Sequence, residues 1–355
     1  MSRFFSSKYS ALEPYTPGEQ PQSALFIKLN TNESPFPPPQ AVREAVAAES
    51  GRLQLYSDPE CSALIDALAR TYKLRPAQLI AGNGSDELLN FAFMAFADSA
   101  RPLVFPDVTY GFYPVFARLN AIPFEEIPLR EDFSVRAEDY IGVNKTVVIA
   151  NPNAPTGLCL GLSDIERIAA SNPDNAVIID EAYVDFGGES AMGLTERYEN
   201  LLIIQTFSKS RSMAGARLGF AAGSEALIAD LNAIRCSVNP YNVNRMTGSA
   251  GVAALGCGAY YRDNCRRIEA NRAYTAAALE KLGFTALPSK ANFLFAASPD
   301  IGGGELYEAL KRRNILVRHF SKPRIDGYIR VTIGTMEQMT AFLQAVEQIV
   351  KERRT

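Results

Sequence analysis

Three short apolar runs, "VVIA" (147–150), "VIID" (177–180) and "LLII" (201–204), each stop abruptly in polar residues: "NPN", "EAY" and "QTFSK". Three or four consecutive apolar residues are too few for a helix and show no alternation. They suit strands covered on both faces. "LSDIERIAAS" between the first two has helical spacing, and strands alternating with helices specify a mostly parallel sheet inside layers of helices. Such a sheet binds ligands beyond the carboxyl ends of its strands, where this chain places its polar clusters.

The same patterning extends along the chain. A helix is expected from near Gln40 in "PPQAVREAVAAES", where prolines precede the helical spacing, and another over "CSALIDALARTY". "QLIAGNGSDELLNFAFMAF" reads as a strand end, a glycine turn and a helix, and "TYGFYPVFARLN" as a helix. After about residue 250 long amphipathic helices flank the strands "FTALPSKANFLFAAS", "NILVRHF" and "YIRVTIGT". At 355 residues the chain exceeds one comfortable core. The fold expected is α/β: a large domain with a mostly parallel sheet over 41–250, and a smaller α+β domain from 251–355. The Pro- and Ser-rich arm of 1–40, with one short strand "LFIKLN", joins the smaller domain.

Composition removes several classes of function. A net charge of −3 gives no basic excess for nucleic acid. The single histidine, His319, and five cysteines without CxxC spacing argue against a transition-metal site and for a reducing compartment. No apolar run reaches membrane-spanning length and the start "MSRFFSSKYSALEPYTPG" has no signal-peptide core. A cytoplasmic protein acting on small molecules is expected.

Four strand ends carry the chemistry: "GNGSDE" (82–87), "NPNAPTG" (151–157), "DEAY" (180–183) and "TFSK" (206–209). Gly82 and Gly84 precede a helix whose first N–H groups can hold an anion, although a plain helix cap by Ser85 or Asp86 fits that stretch as well. Asp180 ends a buried strand and needs a cation or several donors. A helix cap, an ion pair, a protonated ring nitrogen, or Mg²⁺ shared with Glu181 would each satisfy it. Lys209 at a buried strand end would have a lowered pKa and could attack a carbonyl, although a snorkelling surface lysine fits that position as well, and Arg217 could grip a phosphate. Together these parts describe one ligand, with a phosphate, a basic ring nitrogen, a phenolate oxygen and an aldehyde. That ligand is pyridoxal phosphate.

With "LNTNESP" (29–35), "YSDPE" (56–60), "TYGFY" (109–113), "DEAYVDF" and "TFSKSRSMAGARLGF" added, the whole chain resembles the fold-type I pyridoxal-phosphate aminotransferases, and more narrowly the histidinol-phosphate aminotransferases. The resemblance implies that Lys209 joins the cofactor aldehyde and later moves the α-proton. It implies that Asp180 pairs with the ring nitrogen, Tyr183 donates to the phenolate oxygen and Tyr110 stacks on the ring. Gly84, Ser85, Asp86, Thr206, Ser208 and Arg217 would surround the phosphate. Tyr56 would reach the neighbouring subunit's site, which implies a homodimer. Arg330 and Arg318 would hold the substrate's anionic groups, with Tyr15 and Asn32 where the arm closes. One position departs from the family: the turn that usually reads Asn-Pro-Asn-Asn-Pro-Thr-Gly has Ala154 as its fourth residue, so Asn153 is the candidate for the missing donor. His319 is expected to face away from Arg318 as a structural residue, and Arg211 to be a surface or packing residue. The activity implied is transamination between histidinol phosphate and 2-oxoglutarate. The alternatives are a broad or aromatic aminotransferase, a decarboxylase of a phosphorylated amino acid, and a non-catalytic pyridoxal-phosphate binder.

Overall fold

The computed structural model describes residues 2–9, 12–20 and 26–354. A short strand β1 (Ile27–Lys28) follows the arm. Helices α1 (Gln40–Ser50) and α2 (Ser62–Tyr72) lead into the main sheet. Its strands are β2 (Leu79–Gly82), β3 (Leu103–Pro106), β4 (Phe124–Ile127), β5 (Thr146–Ala150), β6 (Val177–Asp180), β7 (Leu201–Thr206) and β8 (Gly219–Ala222). The intervening helices are α3 (Ser85–Phe96), α4 (Tyr113–Leu119) and α5 (Leu162–Ser171), and α6 (Glu225–Val238) and α7 (Arg245–Gly256) follow the sheet. The strands lie in the order β2-β8-β7-β6-β5-β3-β4.

Each apolar run supplies both faces of the sheet. Val147, Ile149, Val177, Ile179, Leu201 and Ile203 join one core, with residues of α2, α5 and α7. Val148, Ile178, Leu202 and Ile204 join the opposite core, with α3 and α4. This is the two-residue period of a strand acting on an uninterrupted apolar run. Val177, Ile178, Ile179 and Leu201 to Ile204 are fully buried, and each contributes about 1.5–3 kcal/mol.

The sheet is parallel except at β8, which runs against both β7 and β2. That reversal positions the site. Gly219, the first residue of β8, lies opposite Thr206 at the end of β7 and opposite Gly82 at the end of β2. Asp180 and Ala150 lie opposite each other at the ends of β6 and β5.

The remaining chain builds α8 (Gly258–Lys281), β9 (Thr285–Ala286), β10 (Phe293–Ala297), α9 (Gly303–Lys311), β11 (Ile315–Leu316), β12 (Arg318–His319), β13 (Tyr328–Thr332) and α10 (Met336–Arg354). An antiparallel sheet β12-β13-β10-β9 forms here, and β1 pairs in parallel with β11. The arm's strand β1 thus pairs within this part of the chain. The expected division at residue 250 needs correcting. Ala250, Ala254 and Tyr261 belong to the main-sheet core, whereas Cys265 and Ile268 belong to the second core. The two cores meet inside α8, because one long helix spans both and its residues face each in turn.

Candidate active site

Beyond the carboxyl ends of β2, β5, β6 and β7 lies a cavity of about 410 Å³. It is lined by Ser85, Asp86, Tyr110, Asp180, Tyr183, Thr206, Ser208, Lys209 and Arg217 from the main-sheet side. Tyr15, Asn32, Arg318 and Arg330 line it from the arm and the small sheet. Widely separated stretches of sequence thus converge on one space.

At its base, α3 begins directly after Gly84, whose φ of 92° is in the left-handed region. The first amides of such a helix have no intrahelical acceptor and point outward to an anion. Arg217, also left-handed at φ 55°, lays its guanidinium across this turn. It donates to Asp86 Oδ2 at 3.2 Å and lies 3.5 Å from Ser208 Oγ. A Cβ on Gly84 would stand 2.5 Å from Arg217 Nη2, and one on Gly219 would stand 2.5 Å from the Ser85 amide nitrogen. Both glycines are therefore required by close approach. Thr206 Oγ1 lies 3.0 Å from Ser208 Oγ and accepts from the Ser208 amide at 3.1 Å. Asp86 also accepts from Tyr110 Oη at 2.8 Å, so its carboxylate ties an aromatic wall to the guanidinium.

Asp180 is 4% exposed. Its Oδ2 accepts from Tyr113 Oη at 3.0 Å and its Oδ1 from the Ala182 amide at 3.1 Å. No cation within 4 Å pairs with it among the described residues. Burial pushes its pKa up to about 6, against the lowering by those two donors. Lys209 shows the complementary effect. Burial, and next the neighbouring Arg330, pull its amine down to about 8. The amine donates to the Thr31 carbonyl at 3.0 Å and stands 5.9 Å from the Tyr183 ring centroid. Tyr183 accepts from Asn32 Nδ2 at 2.9 Å, and burial raises its pKa.

At the mouth, Arg318 and Arg330 are directly opposed across β12 and β13. Arg330 donates to the Asn30 carbonyl at 3.0 Å, and its Nε is buried without a hydrogen-bond partner among the described residues. Arg318 donates to the Thr16 carbonyl at 3.0 Å. Two adjacent guanidiniums, neither in an ion pair among the described residues, make a strong receptor for an anionic group. Tyr15 stacks on Phe112 at 4.1 Å between ring centroids and closes the space from the arm side.

Two expectations are corrected. Asn153 does not reach the cavity. Its Nδ2 donates to the Val108 carbonyl and to Thr156 Oγ1 at 2.9 and 3.0 Å, and its Oδ1 accepts from Thr109 at 2.8 Å. It holds its own turn together, and the turn residues that line the cavity are Pro152 and Ala154, neither with a side-chain donor. Asp180 and Glu181 cannot share a cation. Glu181 points the other way and accepts from Ser190, the Ala191 amide and Gln205. Tyr56 lies off this chain's own cavity, 78% exposed, with its ring stacked on Tyr241 at 4.5 Å. His319 faces away from the site, its Nε2 2.8 Å from the Asp326 carbonyl. Arg211 is a packing residue: it donates to Tyr72 Oη at 2.6 Å and lies over the Phe207 ring.

Tyr113, the partner of Asp180, is a site residue that sequence reasoning does not single out. A tyrosine inside an apolar helix start needs a hydroxyl partner, and that is the signal "TYGFYPVF" offers.

The model of the aminotransferase class I and II family matches residues 25–346. Histidinol-phosphate aminotransferase 2 of Dechloromonas aromatica is 48% identical over 354 residues, covering 98% of this chain and 99% of its own. Histidinol-phosphate aminotransferase of Marinomonas sp. is 48% identical over 353 residues, covering 98% and 100%. Among solved structures, the histidinol-phosphate aminotransferase from Sinorhizobium meliloti in complex with pyridoxal-5'-phosphate superposes with a TM-score of 0.89. It covers 99% of both chains at 22% identity.

Proposed function

The chain belongs to the class I and II aminotransferases, and from that premise we propose that it is a pyridoxal-phosphate-dependent histidinol-phosphate aminotransferase. In that reaction it would exchange an amino group between histidinol phosphate and 2-oxoglutarate. One observation carries the cofactor assignment. A buried carboxylate without a cation and a buried amine with a lowered pKa face one cavity, and an anion cradle of Ser85, Ser208 and Arg217 lies beside them.

The donor set fits the group. Pyridoxal phosphate supplies an aldehyde that takes up amines and a ring that accepts the electrons released at the substrate α-carbon. Ser85, Asp86, Ser208 and Arg217 would hold its phosphate, the first two through their backbone amides. Asp180 would hold positive charge at the ring nitrogen, which also relieves the carboxylate's own burial. Tyr110, fixed by Asp86, would cover a ring face, and Tyr183 would donate to the ring oxygen. Lys209, pulled down to about 8, holds far more free amine near neutrality than an exposed lysine, so the same group can attack as a nucleophile and carry a proton at Nζ. Arg330 and Arg318 would bind the substrate's anionic end, and Tyr15 would exclude water from above.

Support for the substrate comes from the relatives, which bear that name across nearly their whole length. A pair of basic side chains at the mouth suits a phosphorylated amine. The exposed Tyr56–Tyr241 pair is a surface suited to a second copy of the chain, and we assign Tyr56 to the partner's site in a homodimer. Titrating the bound cofactor's absorbance with histidinol phosphate, glutamate and phenylalanine tests the assignment. Conversion by histidinol phosphate and glutamate is expected. Conversion by phenylalanine alone, or release of CO₂ from a phosphorylated amino acid, would refute it.

A further inference from the structure

Asn32 is fixed at every polar atom. Its amide N–H donates to Thr332 Oγ1 at 3.0 Å, and that hydroxyl lies 3.1 Å from Asn32 Oδ1. Its carbonyl accepts from Asn292 Nδ2 at 2.9 Å, and its own Nδ2 donates to Tyr183 Oη at 2.9 Å. The residue is 1% exposed and has a φ of 56°, a conformation that asparagine tolerates better than other side-chain-bearing residues. Thr332 settles which way the amide faces. Its Oγ1 accepts the Asn32 N–H, and among the described residues the acceptor for its own proton is Asn32 Oδ1, so the NH₂ is turned to Tyr183.

A tyrosine hydroxyl has a single proton. Because Tyr183 Oη accepts from Asn32, that proton has no protein acceptor among the described residues, and Tyr183 lines the cavity. Ala154 packs beside it with Phe293, offering a methyl where an amide would be a second donor. The charged and titratable groups acting on Tyr183 are Arg330, Asp180, Asp86 and Lys209, with the tyrosines Tyr15, Tyr110 and Tyr113. None of them takes its proton within hydrogen-bond distance among the described residues.

We propose that Asn32 is a positioning residue, which aims the Tyr183 proton into the cavity at the ring oxygen of the bound cofactor rather than contacting substrate. This rests on the cofactor assignment above. In a chain with alanine at 154, the direction of that one hydroxyl governs how far the ring oxygen's negative charge is stabilised.

The test is the pH titration of the visible absorbance of bound pyridoxal phosphate, in full-length wild type, Asn32→Asp, Tyr183→Phe and the double variant. Aspartate is nearly isosteric but can only accept, so it draws the Tyr183 proton away. The titration midpoint is expected to rise by about one pH unit or more, the size of one hydrogen bond to a charged oxygen. If Asn32 acts through Tyr183, the double variant titrates like Tyr183→Phe alone. An unchanged midpoint in Asn32→Asp overturns the proposal. So do additive shifts in the double variant, which would mean that the new charge acts directly. Should Asn32→Asp fail to fold, Thr332→Val removes the hydroxyl that orients the amide. Its midpoint must also rise, and an unchanged one overturns the proposal. A wild-type chain that takes up no pyridoxal phosphate refutes the cofactor assignment itself and the proposal with it, an outcome distinct from an unmoved midpoint.

Discussion

Replacing Asp180 with asparagine sets stability against affinity. In the cofactor-free chain the Asp180 carboxylate is buried with two donors and no cation, and its pKa rises from 3.8 to about 6. A carboxyl whose folded pKa is raised gives stability that is complete below its unfolded pKa and is lost as pH rises through the folded one. Two pH units at about 1.4 kcal/mol each put the cost of the ionised group near 3 kcal/mol at about pH 8. The substituted amide has no charge to desolvate, but must turn its NH₂ toward Tyr113 Oη, which offsets part of the gain. The cofactor-free Asp180→Asn chain should be more stable than wild type by about 1–3 kcal/mol at about pH 8, and nearly equal to it at about pH 4. The sign reverses on loading. A protonated ring nitrogen relieves the wild-type carboxylate and not the amide, so affinity for pyridoxal phosphate should fall about 100-fold, the equivalent of ~3 kcal/mol. Urea unfolding of both chains at the two pH values, followed by cofactor titration, measures each half. Equal cofactor-free stabilities at about pH 8, or a variant that binds the cofactor as tightly as wild type, would refute the electrostatic account of Asp180.

Other positions give independent checks. Borohydride should fix pyridoxal phosphate covalently to wild type and not to Lys209→Ala, as read by intact mass. The rate of attachment in wild type should rise as pH increases through about 8, because the amine must lose its proton to attack. Gly219→Ala drives a methyl to 2.5 Å from the Ser85 amide nitrogen; it should weaken cofactor binding at least tenfold, measured by equilibrium dialysis, an effect of ~1.4 kcal/mol or more. Asn153→Ala removes three side-chain hydrogen bonds from a buried turn and should lower stability by about 2–4 kcal/mol in urea unfolding. It should leave the midpoint of the bound cofactor's absorbance unchanged; a shifted midpoint would restore Asn153 as a ring contact.

The parts legible in the sequence are those whose signal is local. "VIID" and "LLIIQT" announce strands because each is apolar almost to its end, and the polar residue that follows is placed by the strand itself. Asp180 and Lys209 could be located this way, as could the glycine turn before α3. Directions of side chains across space were not legible. Asn153 and Ala154 are sequence neighbours, and only the folded turn decides that the amide points to Val108 and Thr156. Asn32 and Thr332 are 300 residues apart, and Glu181 differs from Asp180 only by the alternation that sends it to Ser190 and Gln205. The division between the cores was misplaced for the opposite reason: α8 is locally a continuous helix, and nothing in its spacing marks where its neighbours change.

The reversed strand β8 has a mechanical consequence. It joins β7 to β2, and β2 lies at one of the two edges of the main sheet, where a strand is held by a single neighbour. Gly82 at the end of that edge strand runs directly into the turn that Arg217 covers. An anion gripped by Arg217 and the first amides of α3 would therefore tie the end of this edge strand to the strands beside it. The same tie would couple occupancy of the site to the stability of that edge.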